Sequence, residues 1–404
     1  MMEKNKEPFL HVTRRGDISK PKAFKIRIAA ILLGLLLGYL LLLFTTGADP
    51  FTFIGTLFNG AFGTKKRIWN LLREISLLLL VGLALLPAFK MKFWNLGGNG
   101  QILMGALATI VCMMYLGRAN LDNGLILLIS IPCSILAGMI YAVIPAIFKA
   151  LFNTNESLFT LMLNYIAIGI VALFIKIAVP NGSGALGIVS TGWLPQIGGT
   201  TFAGRDHVLT IIIAVIILLV MFSYLKYSKH GYELEVVGES LNTARYIGIN
   251  VKKVIIRTMA FSGAICGLVG LLLAGAINHS ISESSANNMG FTAIMVTWLA
   301  HLNPISMVGT SFLVCFLNSG MSQVRIQFGI TNDSISQIVV GIIYFFIIGS
   351  EFFINYKLHF KDCELVRSLR KFFAPMKRFF EKVNAKTDGL FLKLKSKLTK
   401  KEGK

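Results

Sequence analysis

The sequence predicts an all-α protein: a polytopic transmembrane helical bundle of about ten spans, with both termini cytoplasmic. Of its 404 residues, 54% are hydrophobic and only 15% are charged, whereas soluble proteins carry about 25% charged residues. The apolar residues form blocks of the length, roughly 20 residues, that crosses a bilayer as a helix. Basic residues flank the first and last blocks, as they do on the cytoplasmic side of membrane proteins. This pattern excludes a water-soluble globular domain.

Long apolar blocks predict seven spans, and three shorter blocks raise the count to ten. The long blocks cover residues 23–46, 68–88, 125–150, 157–179, 208–225, 254–277 and 334–354. The shorter blocks are interrupted by Gly, Asn or Pro, which predicts short broken helices over residues 100–116, 290–302 and 305–321. The chain therefore divides into a cytoplasmic basic N-terminal segment (1–22), a transmembrane domain (23–356) and a basic cytoplasmic C-terminal tail (357–404).

The basic residues also predict orientation. The net charge is +21, and fifteen Lys and Arg lie in residues 357–404. An even span count places both termini on one side, which the positive-inside rule makes the cytoplasm. The loop 180–206 then lies outside. Lys65, Lys66 and Arg67 also fall outside, which goes against the positive-inside rule. An interfacial segment at residues 47–64 is the alternative for this region. The tail suits contact with anionic membrane lipid, and the lack of interleaved aromatic residues argues against nucleic-acid binding.

Motifs for catalysis and cofactor binding are missing from the sequence. It contains no GxxxxGK[ST] phosphate loop and no HExxH motif, and its six histidines and five cysteines lack metal-ligand spacing. We therefore expect no enzymatic activity, and no cofactor or metal in this chain. Few ionisable residues fall inside the predicted spans, which argues against a proton-relay carrier.

Polar residues at the broken helices are candidates for a path through the membrane. Asn95, Asn99 and Gln101 precede one short span, and Asn303 precedes Pro304 after another. Unwound backbone at membrane depth persists where it is buried in protein or lines a cavity. Two interpretations remain open here: these residues line a path, or they cap the adjoining helices.

Two glycine pairs predict close helix packing within the chain. Gly34 and Gly38 are four residues apart, as are Gly263 and Gly267. Small residues at this spacing let two helix backbones approach closely.

The predicted cytoplasmic segment at about 227–253 is more than a linker. Ser240 or Asn242 can cap a short helix over 243–246, and Gly248 can end that helix. A short helix on this face suits docking into a partner's groove. A plain structured loop is the alternative.

Five stretches of sequence resemble the membrane permeases of ATP-binding-cassette importers, in the branch that serves simple sugars, nucleosides and branched-chain amino acids. VGESLNTARYIGINV (237–251) resembles their coupling helix. The others, in chain order, are FWNLGGNGQILMGALA (93–108), LAGMIYAVIPAIFKALF (136–152), NESLFTLMLNYIA (155–167) and GFTAIMVTWLAHLNPISMVGTSF (290–312). The stretch at 155–167 is most similar to permeases of nucleoside importers. The chain departs from the family pattern at three places: the family usually has Glu at Asn99, Asp at Thr292 and Gly-Arg at Ala300–His301.

The resemblance implies an alternating-access mechanism and a set of partners. These are a cytoplasmic ATPase that binds ATP-Mg, a second permease subunit in a heterodimer, and an extracellular substrate-binding lipoprotein. The implied substrate is a nucleoside or simple sugar. The alternatives are a permease for branched-chain amino acids or another small solute, and an ion-coupled secondary carrier.

The residues implicated at this stage form two groups. The candidate residues of the substrate path are Asn95, Asn99, Gln101, Asn164, Trp298 and Asn303. The candidate residues for coupling to the ATPase are Gly238, Glu239, Ala244, Arg245, Tyr246 and Gly248.

Overall fold

The computed structural model describes residues 10–15, 20–47, 49–179, 186–197 and 207–360. The tail from residue 361 onward, most of the predicted outer loop at 180–206 and most of the N-terminal basic segment lie outside the described residues. The chain divides into two compact units. One, which we call the main unit, comprises residues 39–340. The other, the terminal unit, comprises the residues up to Gly38 together with those from Gly341 onward.

Helices account for almost all of the regular structure, as the sequence predicts. In chain order the helices are α1 (Lys20–Thr46), α2 (Pro50–Phe62), α3 (Lys65–Lys90), α4 (Gly98–Arg118), α5 (Asn123–Phe152), α6 (Glu156–Ala178), α7 (Val208–Tyr227), α8 (Lys229–Glu239), α9 (Leu241–Tyr246), α10 (Val251–Leu272), α11 (Met289–Leu299), α12 (Pro304–Gln327) and α13 (Asp333–Asn355). A π-helical segment, Leu273–Asn278, continues α10.

The prediction of a multi-span helical membrane protein is confirmed. Within the described ranges, nine helices are long and apolar enough to cross a membrane. The tenth predicted span, at 290–302, contains α11, which has only 11 residues. At 1.5 Å per residue such a helix rises about 16 Å, roughly half of a bilayer core. The expectation of short broken helices therefore holds at α11. It is wrong at 100–116 and 305–321, because α4 and α12 are continuous helices of 21 and 24 residues.

In the part of the chain that the structure describes, two helices are absent from the sequence-based prediction. α2 lies within residues 47–64, the segment considered for an interfacial position. Its N-cap Asp49 accepts a hydrogen bond from the backbone of Thr52 at 3.0 Å. α2 packs closely on α12, where a Cβ added at Gly60 would lie 2.9 Å from the Cα of Gly320. α8 is the other unpredicted helix.

Glycines allow three spans to meet at the centre of the main unit. A Cβ at Gly105 of α4 would lie 2.6 Å from the Cα of Gly267 of α10, and one at Gly138 of α5 would lie 2.7 Å from that same Cα. Close packing at Gly263 and Gly267 within the chain is thus confirmed. α3 completes this core, because its residues 75–89 are all buried.

The terminal unit contains parts of α1 and α13 and a two-stranded ribbon. Gly34 packs against Ile343, where an added Cβ would lie 2.9 Å from the Ile343 Cα. Arg27 donates to Glu351 Oε1 through Nε at 3.0 Å and through Nη2 at 2.8 Å. Strands β1 (Leu10–Arg14) and β2 (Tyr356–Phe360) pair antiparallel, with Val12 opposite Leu358.

The helices of the main unit give it two ends. α8 and α9 lie at the end where α3 finishes and α12 begins, since one groove is lined by Lys90, Gly238 and Pro304. We call this the α9 end. Lys65 lies at the opposite end of α3, about 39 Å away along a helix of 26 residues. We call the opposite end the far end.

Candidate functional site

The segment between α7 and α10 forms a short helix at the α9 end. α9 begins after Ser240, whose Oγ accepts a hydrogen bond from the Thr243 N–H at 3.2 Å. This selects Ser240 rather than Asn242 as the cap. The helix stops before Gly248, whose φ of +85° lies in the left-handed region that glycine favours. The predicted helix over 243–246 is therefore present, and it starts at Leu241.

α9 has one face toward the bundle and one face away from it. Ala244 is fully buried, whereas Tyr246 is 92% exposed. Arg245 and Glu239 are also exposed. The helix is thus held by its small residue, and it presents a guanidinium and a phenol outward. Such side chains suit docking, because arginine offers a planar fork of donors and tyrosine an apolar ring with a polar tip.

Ala244 belongs to a buried apolar cluster that joins α9 to the rest of the main unit. The members of this Ala244 cluster are Ala88, Met91, Phe93, Ala142, Ala146, Leu234, Val237, Ala244, Val251, Val254, Ile255 and Met259. They come from α3, α5, α8, α9, α10 and the segment that follows α3. Gly238 adds a backbone contact, because a Cβ there would overlap the Lys90 carbonyl oxygen. α9 is thereby packed into the same apolar interior as residues of α3, α5 and α10.

His230 ties α8 to the two neighbouring spans. It is buried, its Nδ1 forms a hydrogen bond with the Tyr224 hydroxyl, and its Nε2 lies 3.4 Å from Thr258 Oγ1. Burial, with a further contribution from the positive charge of Arg257, lowers the pKa of His230. Burial therefore favours the neutral form of the imidazole.

The segment between α3 and α4 carries the first predicted path residues. Asn95 is fully buried, and its Oδ1 accepts hydrogen bonds from the Gly97 N–H at 3.0 Å and from Gln101 Nε2 at 3.2 Å. Its Nδ2 donates to Ser262 Oγ on α10 at 3.4 Å. Gln101 is buried as well, and its Oε1 has no hydrogen-bond partner among the described residues. This segment is thereby fixed to α10.

Two further asparagines hydrogen bond to the backbone of other elements. Asn164 of α6 donates to the Leu96 carbonyl at 2.7 Å and accepts from the Gly100 N–H at 2.8 Å. Asn99 of α4 accepts from the Gly290 N–H at 2.7 Å, in the first turn of α11. Asn95, Asn99, Gln101 and Asn164 are thus brought together. They form one buried, uncharged group, which we call the amide group.

Trp298 lies at the C-terminal end of α11, beside a tryptophan that the sequence analysis did not select. The rings of Trp94 and Trp298 are stacked, with centroids 5.3 Å apart and planes inclined by 17°. Phe89 contacts both rings, with centroid distances of 6.0 Å. Trp94 directly precedes Asn95 in the stretch that resembles the permease family, which is the signal that could have identified it.

Asn303 lies apart from the amide group. It is exposed, and it caps α12 by accepting a hydrogen bond from the Ile305 N–H at 3.0 Å. It also lines a groove of about 650 Å³ together with Lys90, Glu239 and His301.

A larger groove of about 990 Å³ opens beside α9. Its lining includes Leu241 and Arg245 of α9 and the ion pair of Lys149 with Glu156, whose Nζ and Oε2 atoms are 2.8 Å apart. This ion pair bridges the turn from α5 to α6. The groove therefore places the exposed side of α9 next to the start of α6, the helix that carries Asn164.

Comparison with known proteins places the chain in a family of transport proteins. The family described as "Branched-chain amino acid transport system / permease component" matches residues 67–348. The chain is 29% identical to the guanosine ABC transporter permease protein NupP of Bacillus subtilis over 333 residues, which cover 80% of this chain and 93% of that protein.

Two other relatives are similar over comparable lengths. The nucleoside ABC transporter permease protein NupB of Lactococcus lactis subsp. cremoris is 28% identical over 80% of this chain and 89% of its own length. A glucose ABC transporter permease protein of Haloferax volcanii is 25% identical over 86% of this chain and 93% of its own length. The family match includes α3 to α12, and with them the amide group, α9 and the Ala244 cluster. This chain belongs to the family of permease components of branched-chain amino acid transport systems, and it is a multi-pass membrane protein of the transport machinery rather than a catalytic subunit.

Proposed function

We propose that the chain is the permease subunit of an importer driven by a separate cytoplasmic ATPase, and that α9 is the coupling helix on which this ATPase acts. One observation carries the proposal: α9 exposes Arg245 and Tyr246 while Ala244 anchors it in a cluster shared with α3, α5 and α10. The ATPase subunit closes when it binds ATP-Mg. The resulting displacement of α9 moves the spans, so that the path opens to alternate sides.

Basic residues at the α9 end support its cytoplasmic placement. Lys90, Lys92 and Lys226 line one groove there, while Lys149 and Lys252 line the other. Lysine and arginine are enriched at the cytoplasmic ends of spans. In this orientation both termini are cytoplasmic, and an extracellular substrate-binding lipoprotein delivers substrate at the far end.

The path itself requires a second permease subunit, which we propose to be a related chain in a heterodimer. The exposed part of α11 carries Phe291 and Trp298, and Asn288 lies just before it. The exposed amide of Asn288 is a poor match for lipid tails, and beside aromatic side chains it suits a path between two subunits. The buried amide group lies directly behind α11, and Asn303 lies near its inner mouth.

The proposed substrate is a nucleoside. Two of the relatives carry guanosine or nucleoside in their names, and one carries glucose. The uncharged amide group and the aromatic face of α11 match a substrate that has an aromatic base and hydroxyl groups and no net charge. The glucose-transporting relative keeps a simple sugar as the second candidate.

ATP-driven uptake into proteoliposomes tests the proposal. The chain is reconstituted with its ATPase, its second permease and its binding protein, and uptake of radiolabelled guanosine, glucose and leucine is compared. We expect guanosine uptake that needs ATP and stops when the ATPase carries a substitution of its phosphate-loop lysine. Uptake of glucose or leucine in place of guanosine contradicts the substrate, and uptake without the ATPase contradicts the function.

A further inference from the structure

Trp94 and Trp298 form an aromatic pair that is open to its surroundings. Trp94 is 43% exposed and Trp298 is 45% exposed, although their rings stack on each other and contact the buried Phe89. Each indole therefore keeps part of its surface accessible. The pair offers exposed aromatic surface at the α9 end of α11.

The exposed face of α11 that carries Trp298 differs from the exposed face of α7. Along the middle of α7 the exposed large side chains are all aliphatic: Ile212, Val215, Ile216, Leu219 and Val220. On α11, by contrast, the exposed side chains include Phe291 and Trp298, and Asn288 is exposed just before the helix. Residues 291 and 298 are seven apart, so they lie on the same face of the helix. A face that combines amide and aromatic groups fits a solute better than lipid.

We propose that the Trp94–Trp298 pair is a stacking site for the aromatic base of the transported solute, at the α9 end of the path. This inference rests on the proposed function. It adds that Trp94 and Trp298 bind the ring system of the substrate. Stacking on an aromatic side chain tolerates any base, because every base has a π-face. The pair therefore selects solutes with a flat ring system over simple sugars.

The position of Trp94 also connects this site to α9. Its neighbour Phe93 lies in the Ala244 cluster, and its other neighbour Asn95 bonds to Ser262 of α10. Trp298 moves with α11, which Asn99 holds at Gly290. The chain on either side of Trp94 is therefore held by the cluster that contains α9 and by α10.

Substitution at both positions tests the stacking site in the complete transporter. In proteoliposomes with saturating guanosine-loaded binding protein, Trp94→Leu and Trp298→Leu keep an apolar side chain but remove the ring, whereas Trp94→Phe and Trp298→Phe keep a ring. We expect each Leu variant to transport guanosine at least about fivefold more slowly, and each Phe variant to retain most of the rate. Tyr227→Leu is the control, because Tyr227 is an exposed aromatic residue where α7 finishes, at the α9 end.

The outcomes separate this inference from the proposed function. If wild-type transporter takes up no guanosine, the proposed function fails. If wild type transports and the Leu variants match it, only the stacking site is overturned. Equal loss in Phe and Leu variants, or an equal loss in Tyr227→Leu, indicates membrane anchoring by aromatic residues and also overturns it.

A spectroscopic measurement decides the matter if a Leu variant fails to assemble. The chain has four tryptophans, so replacing Trp69 and Trp193 by phenylalanine leaves emission from Trp94 and Trp298 within this subunit. We expect guanosine to quench this emission in the assembled complex and ribose to leave it unchanged. Quenching that is absent, or that persists after Trp94→Phe with Trp298→Phe, contradicts the proposal.

Discussion

Gly238 of α8 lies directly against the carbonyl oxygen of Lys90, the last residue of α3. Atoms of Lys90 and Met91 fill the space that a side chain at Gly238 would need, with the Met91 Cα 3.3 Å from the position of an added Cβ. This contact couples the segment that carries α9 to the end of a span whose residues 75–89 are all buried. Glycine is required there because of the close approach, and its φ is not in the left-handed region.

Gly238→Ala therefore forces α8 away from the end of α3. We expect this variant to lower the free energy of unfolding of the detergent-solubilised chain by about 1–3 kcal/mol, the usual cost of overpacking. Its melting temperature should fall accordingly. Gly309→Ala is the matched control, because Gly309 lies in α12 with open space around it. Alanine should stabilise that helix slightly. Equal melting temperatures for the two variants would show that the Gly238 contact is not tight.

Asn164→Leu tests whether the amide group is structural. Asn164 is 4% exposed, and it bonds the Leu96 carbonyl and the Gly100 N–H. Leucine leaves both groups unpaired, and each unpaired buried polar group lowers the free energy of unfolding by roughly 1–3 kcal/mol. We expect a clear drop in melting temperature, measured by size-exclusion chromatography after heating.

Tyr165→Leu is the control for that substitution, because Tyr165 is the neighbouring residue on α6 and is 69% exposed. It should leave the melting temperature unchanged. An Asn164→Leu chain that keeps its stability but loses transport would instead support direct contact with substrate. Asn164 would then line the path, as the sequence predicts, and would have no role in stabilising the fold.

Hydropathy predicted the long spans well because burial in lipid needs only composition and length. It did not predict α8, whose sequence, KHGYELEVVGE, is only moderately apolar. That helix is stabilised by tertiary contacts, since Leu234 and Val237 pack in the Ala244 cluster. The β1–β2 ribbon was missed for a similar reason, because its strands are separated by more than 300 residues along the chain.

The same limit applies to the site. Local signals identified Ser240 and Gly248 around α9, because a helix cap and a left-handed glycine act within a few residues. The partners of the asparagines are distant, however: Asn164 bonds a residue 64 positions away and Asn99 one 191 positions away. Nothing in the sequence near Asn99 indicates that it caps α11.

The buried His230 predicts that stability depends on pH. Its pKa is lowered in the folded chain by burial and by Arg257, against an opposing effect of Glu233. The unfolded chain then binds the proton more strongly, so the histidine's contribution is fully present above its unfolded pKa of about 6.5. It is lost as the pH falls from there toward the lower pKa of the folded state. We expect the melting temperature to fall between pH 7.5 and pH 5.

His230→Gln provides the comparison, because glutamine keeps hydrogen-bonding groups near Tyr224 and Thr258 but does not titrate. The pH dependence of its melting temperature should be weaker than that of wild type over the same interval. Identical slopes for the two chains would mean that other groups cause the dependence.

Replacing the exposed residues of α9 tests coupling to the ATPase. Tyr246 is 92% exposed and Arg245 is exposed, so Arg245→Ala with Tyr246→Ala should leave folding intact. We expect the double variant to bind its ATPase about tenfold more weakly or worse, since buried tyrosine and arginine anchors commonly contribute 2 kcal/mol or more. Substrate-stimulated ATP hydrolysis should fall accordingly. Binding of substrate by the extracellular protein should not change.

An equivalent exposed pair at the far end gives the control. Arg118 lies over the Tyr115 ring, 5.8 Å from its centroid, near the end of α4. Tyr115→Ala with Arg118→Ala removes the same two side-chain types, and it should leave co-purification with the ATPase unchanged.

Gly248→Val addresses the geometry of α9 rather than its surface. A β-branched residue resists the φ of +85°, which costs about 1–2 kcal/mol, so this variant should also weaken ATPase binding. Normal co-purification in both α9 variants would remove the coupling role from this helix.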